Sequence, residues 1–354
     1  MAIGKKLEDL KKIAKQMIAP GKGILAADES SGTIEKKFAK IGVPSTEENR
    51  RNYRELFFTT PGFGEFISGA ILYDETLRQK SSSGVLFVKI LEKAGVLPGI
   101  KVDQGLKEMD LPAMPAHAGQ AGGSPNEKIT KGLDGLPERL KEYVGLGAKF
   151  AKWRAVITIG AGIPTDANIH ENARTLAAYA KSCQEAGLVP IVEPEVLMDG
   201  GHNMDKCADA SQRTLKAVFE ELKKAGVAVE GMILKTNMVI PGKESGEKAS
   251  PEKIAESTIK LFKKILPSNL PGQAFLSGGQ SEVEATANLN AMNIGGRLPW
   301  KLTFSYGRAL QDSALKIWGG KSENIPAAQK AFYHRAKMNS LATLGKYTAS
   351  AENA

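Results

Sequence analysis

The chain has 354 residues, 42% of them apolar and 25% charged, the make-up of a soluble globular protein with a large core. Its 48 basic and 39 acidic side chains leave a net charge of +9. No dense Arg/Lys run is interleaved with aromatics, which argues against a nucleic-acid module, and the surplus suits anionic metabolites where it converges on a cleft. No stretch approaches the ~18 uninterrupted apolar residues of a membrane span, and Cys183 and Cys207, without CxxC spacing, read as free thiols of a reducing cytoplasm.

The first ten residues lack the continuous apolar run of a secretory signal. Leu7, Leu10, Ile13, Ala14 and Met17 instead recur at helical spacing and predict a docking helix. Eight short apolar, β-branched runs then predict strands at Gly23–Asp28, Ile67–Tyr73, Ile100–Gly105, Phe150–Ile157, Val189–Val196, Gly231–Met238, Ala274–Gly279 and Lys301–Gly307. Helical patterns alternate with them at Glu47–Phe58, Val85–Ala94, Lys128–Leu146, His170–Ala186, Met204–Ala225, Pro251–Leu266 and Glu282–Met292, and Ala327–Leu344 adds a helix near the end. Strict alternation over eight units predicts a single (β/α)8 barrel over residues 1–346, with extra helices at both ends. Tyr347–Ala354, small and polar, is expected to be a loose tail.

Charged residues occupy the strand ends. Asp28 closes the first strand; Lys101 and Asp103 lie on the third, Lys152 and Arg154 on the fourth, and Glu193 and Glu195 on the fifth. Lys235 is on the sixth strand and Arg308 follows the eighth. Residues i and i+2 of a strand share a face, and helices cover these strands, so such charges persist only when paired or functional. Barrel chemistry gathers at the C-terminal strand ends, where these residues fall.

Lys235 follows the apolar run Gly231–Leu234, which places its amine at the end of a buried strand. An ordinary lysine leaves roughly one amine in 2,500 neutral at pH 7. Desolvation and cationic neighbours, here Lys152 and Arg154, favour the neutral nucleophile that forms an iminium with a ketone. Glu193 and Glu195 supply a carboxylate pair for the proton transfers that this chemistry demands. Ser277-Gly278-Gly279 at the end of the seventh strand, with Arg308 beyond the eighth, lies where barrel enzymes bind phosphate. Ser30, Lys37 and Lys101, near the first and third strands, are candidates for a second anion-binding subsite.

These blocks, with Gly23–Ser30, Thr46–Arg51, Ile100–Asp103, Ala151–Arg154, Ile191–Glu195, Leu234–Met238, Phe275–Gln280 and Ser305–Gln311, resemble the class I fructose-bisphosphate aldolases from about Leu10 to Tyr347. The resemblance implies reversible cleavage of fructose 1,6-bisphosphate to dihydroxyacetone phosphate and glyceraldehyde 3-phosphate, in a cytoplasmic homotetramer with no metal or other cofactor. By motif match Lys235 looks like the Schiff-base lysine and Glu193 like its acid/base partner. Asp28 is similar to the residue acting at the C4 hydroxyl, with Lys152 and Glu195 ordering charge around it. Ser277, Gly278 and Arg308 resemble the C1-phosphate site, and Ser30, Lys37 and Lys101 the C6-phosphate side.

Two departures stand out. Lys37 takes a place where animal members usually carry arginine, exchanging a bidentate fork for a point charge. Eukaryotic members usually end in a longer tail whose last residue is a tyrosine implicated in proton exchange; here the sequence stops at Glu352-Asn353-Ala354 and the nearest tyrosine is Tyr347. The rivals to this reading are a zinc aldolase or hydrolase, an idle scaffolding barrel, and an aldolase of tagatose or sedoheptulose bisphosphate. His117, His170, His202 and His334 show no HxxxH or HxxDH spacing, which gives zinc little support.

Overall fold

The structure, a computed structural model, describes residues 2–109 and 127–353. Eight parallel strands close into one barrel. They are β1 (Gly23–Ala27), β2 (Ile67–Leu72), β3 (Leu97–Lys101), β4 (Phe150–Ile157), β5 (Val189–Val196), β6 (Ile233–Thr236), β7 (Gly272–Phe275) and β8 (Lys301–Tyr306). Each strand pairs with its neighbours in sequence order, and β8 closes on β1 through Ile24–Ser305 and Leu25–Tyr306. This is the (β/α)8 architecture that the alternation predicts.

Helices wrap the sheet: α1 (Ala2–Met17), α2 (Ser31–Ala39), α3 (Glu47–Phe58), α4 (Asp74–Arg78), α5 (Phe87–Lys93), α6 (Leu136–Gly145), α7 (Asp166–Ala186), α8 (Met204–Lys224), α9 (Pro251–Ile265), α10 (Glu282–Ile294), α11 (Arg308–Trp318) and α12 (Ile325–Thr343). Side-chain caps start several of them. Thr46, Thr165, Asn203 and Ser250 each accept a backbone N–H of the first turn, and Ser281 with Glu284 makes a full capping box.

The two faces of the strands divide the core. Outward side chains such as Trp153, Val192 and Leu234 join the large cluster beneath the helices. Inward ones, Ile24, Ala26, Ile71, Phe150, Val189, Ile191, Ile233 and Ala274, fill the lower barrel. Leu10, Ala14 and Met17 of α1 belong to that same inner cluster, so the predicted docking helix closes the barrel from below. The inner rows then change character upward. Ile24 and Ala26 lead to Asp28, Phe150 to Lys152 and Arg154, Val189 and Ile191 to Glu193 and Glu195, and Ile233 to Lys235.

Several boundaries differ from the sequence expectation. The third strand is Leu97–Lys101 rather than Ile100–Gly105, because Pro98 and Gly99 look like breakers but serve the barrel. Pro98 needs only its carbonyl, which accepts the Lys149 N–H at 2.8 Å. Gly99 leaves room for the Phe150 ring, which a Cβ would strike. Gly99→Ala is therefore expected to cost about 1–3 kcal/mol through overpacking, measured by denaturant unfolding; a change within ~0.5 kcal/mol would contradict this account of the barrel floor.

Strand β7 stops at Phe275 instead of Gly279, since Gly278 has a left-handed φ of +55° and turns the chain. Strand β6 is likewise shorter than the expected Gly231–Met238. The expected helix Lys128–Leu146 begins only at Leu136: Lys128–Thr130 pairs antiparallel with Leu106–Glu108, and Gly132 and Gly135, both at positive φ, separate that pair from α6. The short α2 and α4, and α11, are additional helices that the sequence pattern does not predict. Residues Ala349–Asn353 form a 3₁₀ turn rather than a loose tail. Tyr347 is buried, its hydroxyl donates to Glu352 at 2.7 Å, and Arg335 of α12 binds both Glu352 oxygens at 2.7 and 2.8 Å.

Candidate active site

Lys235, the third residue of the short strand β6, points into the upper barrel and is 4% exposed. Its Nζ lies 3.0 Å from Glu193 Oε1, and Lys152 Nζ lies 3.1 Å from the other oxygen of the same carboxylate. Lys152 also donates to Asp28 Oδ2 at 3.0 Å. Two buried lysines and two buried carboxylates therefore form one chain, Lys235–Glu193–Lys152–Asp28, across strands β6, β5 and β4 to the end of β1. Its alternating signs are what let four ionisable groups share a dry site.

Burial alone would raise the carboxyl pKa values. For Asp28 the cations Lys152 and then Lys235 outweigh burial and hold it at about 2. For Glu193 burial is likewise overcome by Lys152, Lys235 and Arg154, and its pKa is lowered. Lys152 is pulled down by burial and more strongly up by Asp28 and Glu193, so it stays protonated. Both carboxylates are thus ionised at neutral pH.

Glu195, one step up β5, is held by Arg154 Nε. Lys101 donates to the backbone oxygen of Asp103 at 2.8 Å and pairs with its carboxylate. A cavity of about 540 Å³ opens above the lysine–carboxylate chain, lined among others by Asp28, Ser30, Lys37, Lys101, Arg154 and Arg308. Ser30 precedes α2 without capping it, and its Oγ touches Thr33 Oγ1 at 3.1 Å. Lys37 faces this cavity with its amine already engaged by Glu29, by Gln311 at 2.6 Å and by Tyr53 at 3.3 Å. An incoming anion there has to compete with Glu29.

Arg308, which lines the same cavity, donates from Nη2 to the carbonyls of Gly278 at 2.7 Å and Gln280 at 3.1 Å. The guanidinium thereby ties the end of β8 to the Ser277–Gln280 loop, and Ser277 is buried beneath it. The structure brings Lys235, Glu193, Lys152, Asp28, Arg154 and Glu195 into one continuous site. Ser30, Lys37, Lys101 and Arg308 line the cavity, and Arg308 links it to the Ser277–Gln280 loop.

Sequence reasoning assigned no role to Glu29 or Arg54. Arg54 is 2% exposed on α3 and reaches Glu29 Oε2 at 2.8 Å, beneath Lys37. The only signal was position, since Glu29 follows the strand-ending Asp28 in the same block. His202 is buried with both ring nitrogens unpartnered, and His117 lies outside the described residues. Among the described residues no group of three or more His, Cys, Asp or Glu could hold a metal ion.

Fold and site together are those of a closed parallel barrel with a buried cluster of amines and carboxylates at its upper end. A family profile described as "Fructose-bisphosphate aldolase class-I" matches residues 9–354. The chain is 56% identical over 334 residues to cytosolic fructose-bisphosphate aldolase 4 of Arabidopsis thaliana, covering 94% of this chain and 82% of that protein. It is 52% identical over 342 residues to a probable class 1 fructose-bisphosphate aldolase of Xanthomonas campestris, covering 96% and 99%. Among solved structures, a fructose-bisphosphate aldolase of Plasmodium falciparum, in complex with TRAP and a small-molecule inhibitor, superposes with a TM-score of 0.93 at 49% identity. That match covers 98% of this chain and 96% of the other. The chain belongs to the class I fructose-bisphosphate aldolase family and is therefore a lyase.

Proposed function

We propose that the protein cleaves fructose 1,6-bisphosphate reversibly through a Schiff base on Lys235, without a metal or other cofactor, and that this serves glycolysis and gluconeogenesis. The observation that carries the reading is the buried Lys235 amine 3.0 Å from an ionised Glu193. Glu193 takes the amine proton, the neutral nitrogen adds to the C2 ketone, and Glu193 returns a proton to the departing hydroxyl as water leaves. Asp28, ionised at about 2, accepts the C4 hydroxyl proton. The C3–C4 bond then breaks, its electron pair passing to the iminium nitrogen, and the aldehyde fragment departs. Protonation of the enamine at C3 and hydrolysis free dihydroxyacetone phosphate and restore the amine.

Lys152 stays cationic between the two carboxylates and holds them apart in role, one at the nitrogen and one at C4. Glu195 fixes Arg154 at the cavity wall. The Ser277-Gly278-Gly279 loop with Arg308 takes the C1 phosphate, and Ser30, Lys37 and Lys101 take the C6 phosphate. The assembly is a homotetramer acting in the cytoplasm. Support for the location comes from the cytosolic isozymes among the relatives, and no described helix is long and apolar enough to cross a membrane.

Borohydride added with dihydroxyacetone phosphate is expected to inactivate the enzyme and leave one reduced adduct, mapped by peptide mass to Lys235, with full activity kept in EDTA. Loss of activity in EDTA and its return with zinc would overturn the covalent reading. A panel including tagatose and sedoheptulose bisphosphates tests the substrate, which is expected to give the highest kcat/KM as fructose 1,6-bisphosphate.

A further inference from the structure

Three loops meet above the barrel at a point that the steps above leave unused. The loop after β5 and the loop after β6 are zipped together by backbone hydrogen bonds. The N–H of Gly242 donates to His202 O at 2.7 Å, that of Lys243 to Met198 O at 2.8 Å, and that of Glu244 to Gly200 O at 3.1 Å. The third is the Ser277–Gln280 loop after β7, which lies directly against this zipper. A Cβ on Gly279 would run into Lys243 Cε and Met198 Sδ, and the Gly279 N–H donates to that sulfur. The aliphatic stem of Lys243 therefore crosses Gly279, and its ammonium rests on Asp199 Oδ1 at 2.7 Å.

We propose that Lys243 is a further specificity-determining residue of the C1-phosphate subsite, resting on Asp199 and transferred to the phosphate when the ketose enters. The inference deepens the phosphate assignment made above and rests on it. Arg308 has one guanidinium nitrogen occupied by the Gly278 and Gln280 carbonyls, so a phosphate dianion on this loop gains from a second cation. Lys243 is one bond from the required place: its Cε already touches Gly279, and rotation about the last side-chain torsion swings the amine while the stem stays put. The partner it leaves holds it weakly. The Lys243 and Asp199 side chains are 43% and 60% exposed, and ion pairs so exposed contribute little. A dianion presented on backbone N–H groups outcompetes a solvated monoanion.

The test uses Lys243→Met, which keeps the stem over Gly279 and deletes the charge, and Lys243→Arg, which keeps the charge. Steady-state kinetics are run with fructose 1,6-bisphosphate and with fructose 1-phosphate, whose single phosphate is on C1. Lys243→Met is expected to raise KM for both substrates by the same factor, roughly tenfold, with the loss in KM rather than kcat, and Lys243→Arg to recover most of it. An effect on the bisphosphate alone would place the lysine at the other phosphate and overturn the proposal. Gly278→Ala serves as the control: if it raises KM while Lys243→Met does not, Lys243 is idle and the proposal fails by itself. If neither substitution moves KM for either substrate, the phosphate assignment falls, and the proposal with it.

Discussion

Replacing Lys235 with methionine is expected to leave a folded barrel whose cleavage rate falls by on the order of 10⁴-fold or more, because the residue that makes the covalent bond is gone. Methionine fills nearly the same volume at this 4% exposed position. Glu193 keeps a cation, since Lys152 stays 3.1 Å from its second oxygen, so the substitution does not strand a buried carboxylate. Stability should therefore fall far less than activity. Lys152 is also a buried amine beside Glu193, and it is the natural competitor for the nucleophile's role. Borohydride trapping separates the two: the variant should yield no adduct with dihydroxyacetone phosphate. A variant that retains turnover, or an adduct mapped to Lys152 in the parent enzyme, would remove Lys235 from its assigned place.

Lys152→Met should damage both activity and fold. It removes the cation shared by Asp28 and Glu193 and leaves two carboxyls buried with less compensation, a change that costs about 3–5 kcal/mol in comparable sites. The pH dependence has a definite sign. In the parent, the Asp28 pKa lies at about 2 against a usual value of 3.8, so its ionisation favours the fold above pH 4 by about 2 kcal/mol. That contribution is lost as the pH falls from about 4 to about 2. In the variant the strongest lowering influence on Asp28 is gone and burial pushes the carboxyl upward, so acid relieves rather than removes. The stability gap between parent and variant, measured by urea unfolding at several pH values, is expected to be largest near pH 7 and to narrow toward pH 3. A gap that stays constant over that range would show that the carboxylates do not depend on Lys152. Turnover should drop by about 10²–10⁴-fold, as for loss of positioned acid–base groups.

Strand periodicity made the inner charged rows legible before any coordinates. Lys152 with Arg154, and Glu193 with Glu195, had to share a face, either the barrel interior or the helical layer, and the ion pairs of Lys152 and Glu193 with Asp28 and Lys235 put it inside the barrel. The apolar residues two places earlier, Phe150 and Ile191, line the floor beneath them. What the sequence hid was the consequence of Pro98 and Gly99, whose intrinsic preferences argue against a strand until a ring from the next strand needs the space. It hid the engagement of Lys37 as well. Lysine spacing says nothing about Gln311, which is distant in sequence and touches the amine at 2.6 Å. The docking of residues 349–353 depends on Arg335, a buried cation in a helix whose pattern reads as ordinary packing. Local periodicity carries the fold and the inner rows; long-range polar pairing has no comparable signature.

The helix that stoppers the barrel floor has a bearing on the order of events. With Leu10, Ala14 and Met17 packed among the lining residues, the floor of the chamber is closed by α1. Two fragments are formed above that floor. Under the covalent route proposed here, one of them is tethered to β6 while the other is free, so the aldehyde exits first and the tethered three-carbon piece stays bound. Run backwards, the same chamber must be loaded in the opposite sequence, and an aldehyde that arrives early finds nothing to react with.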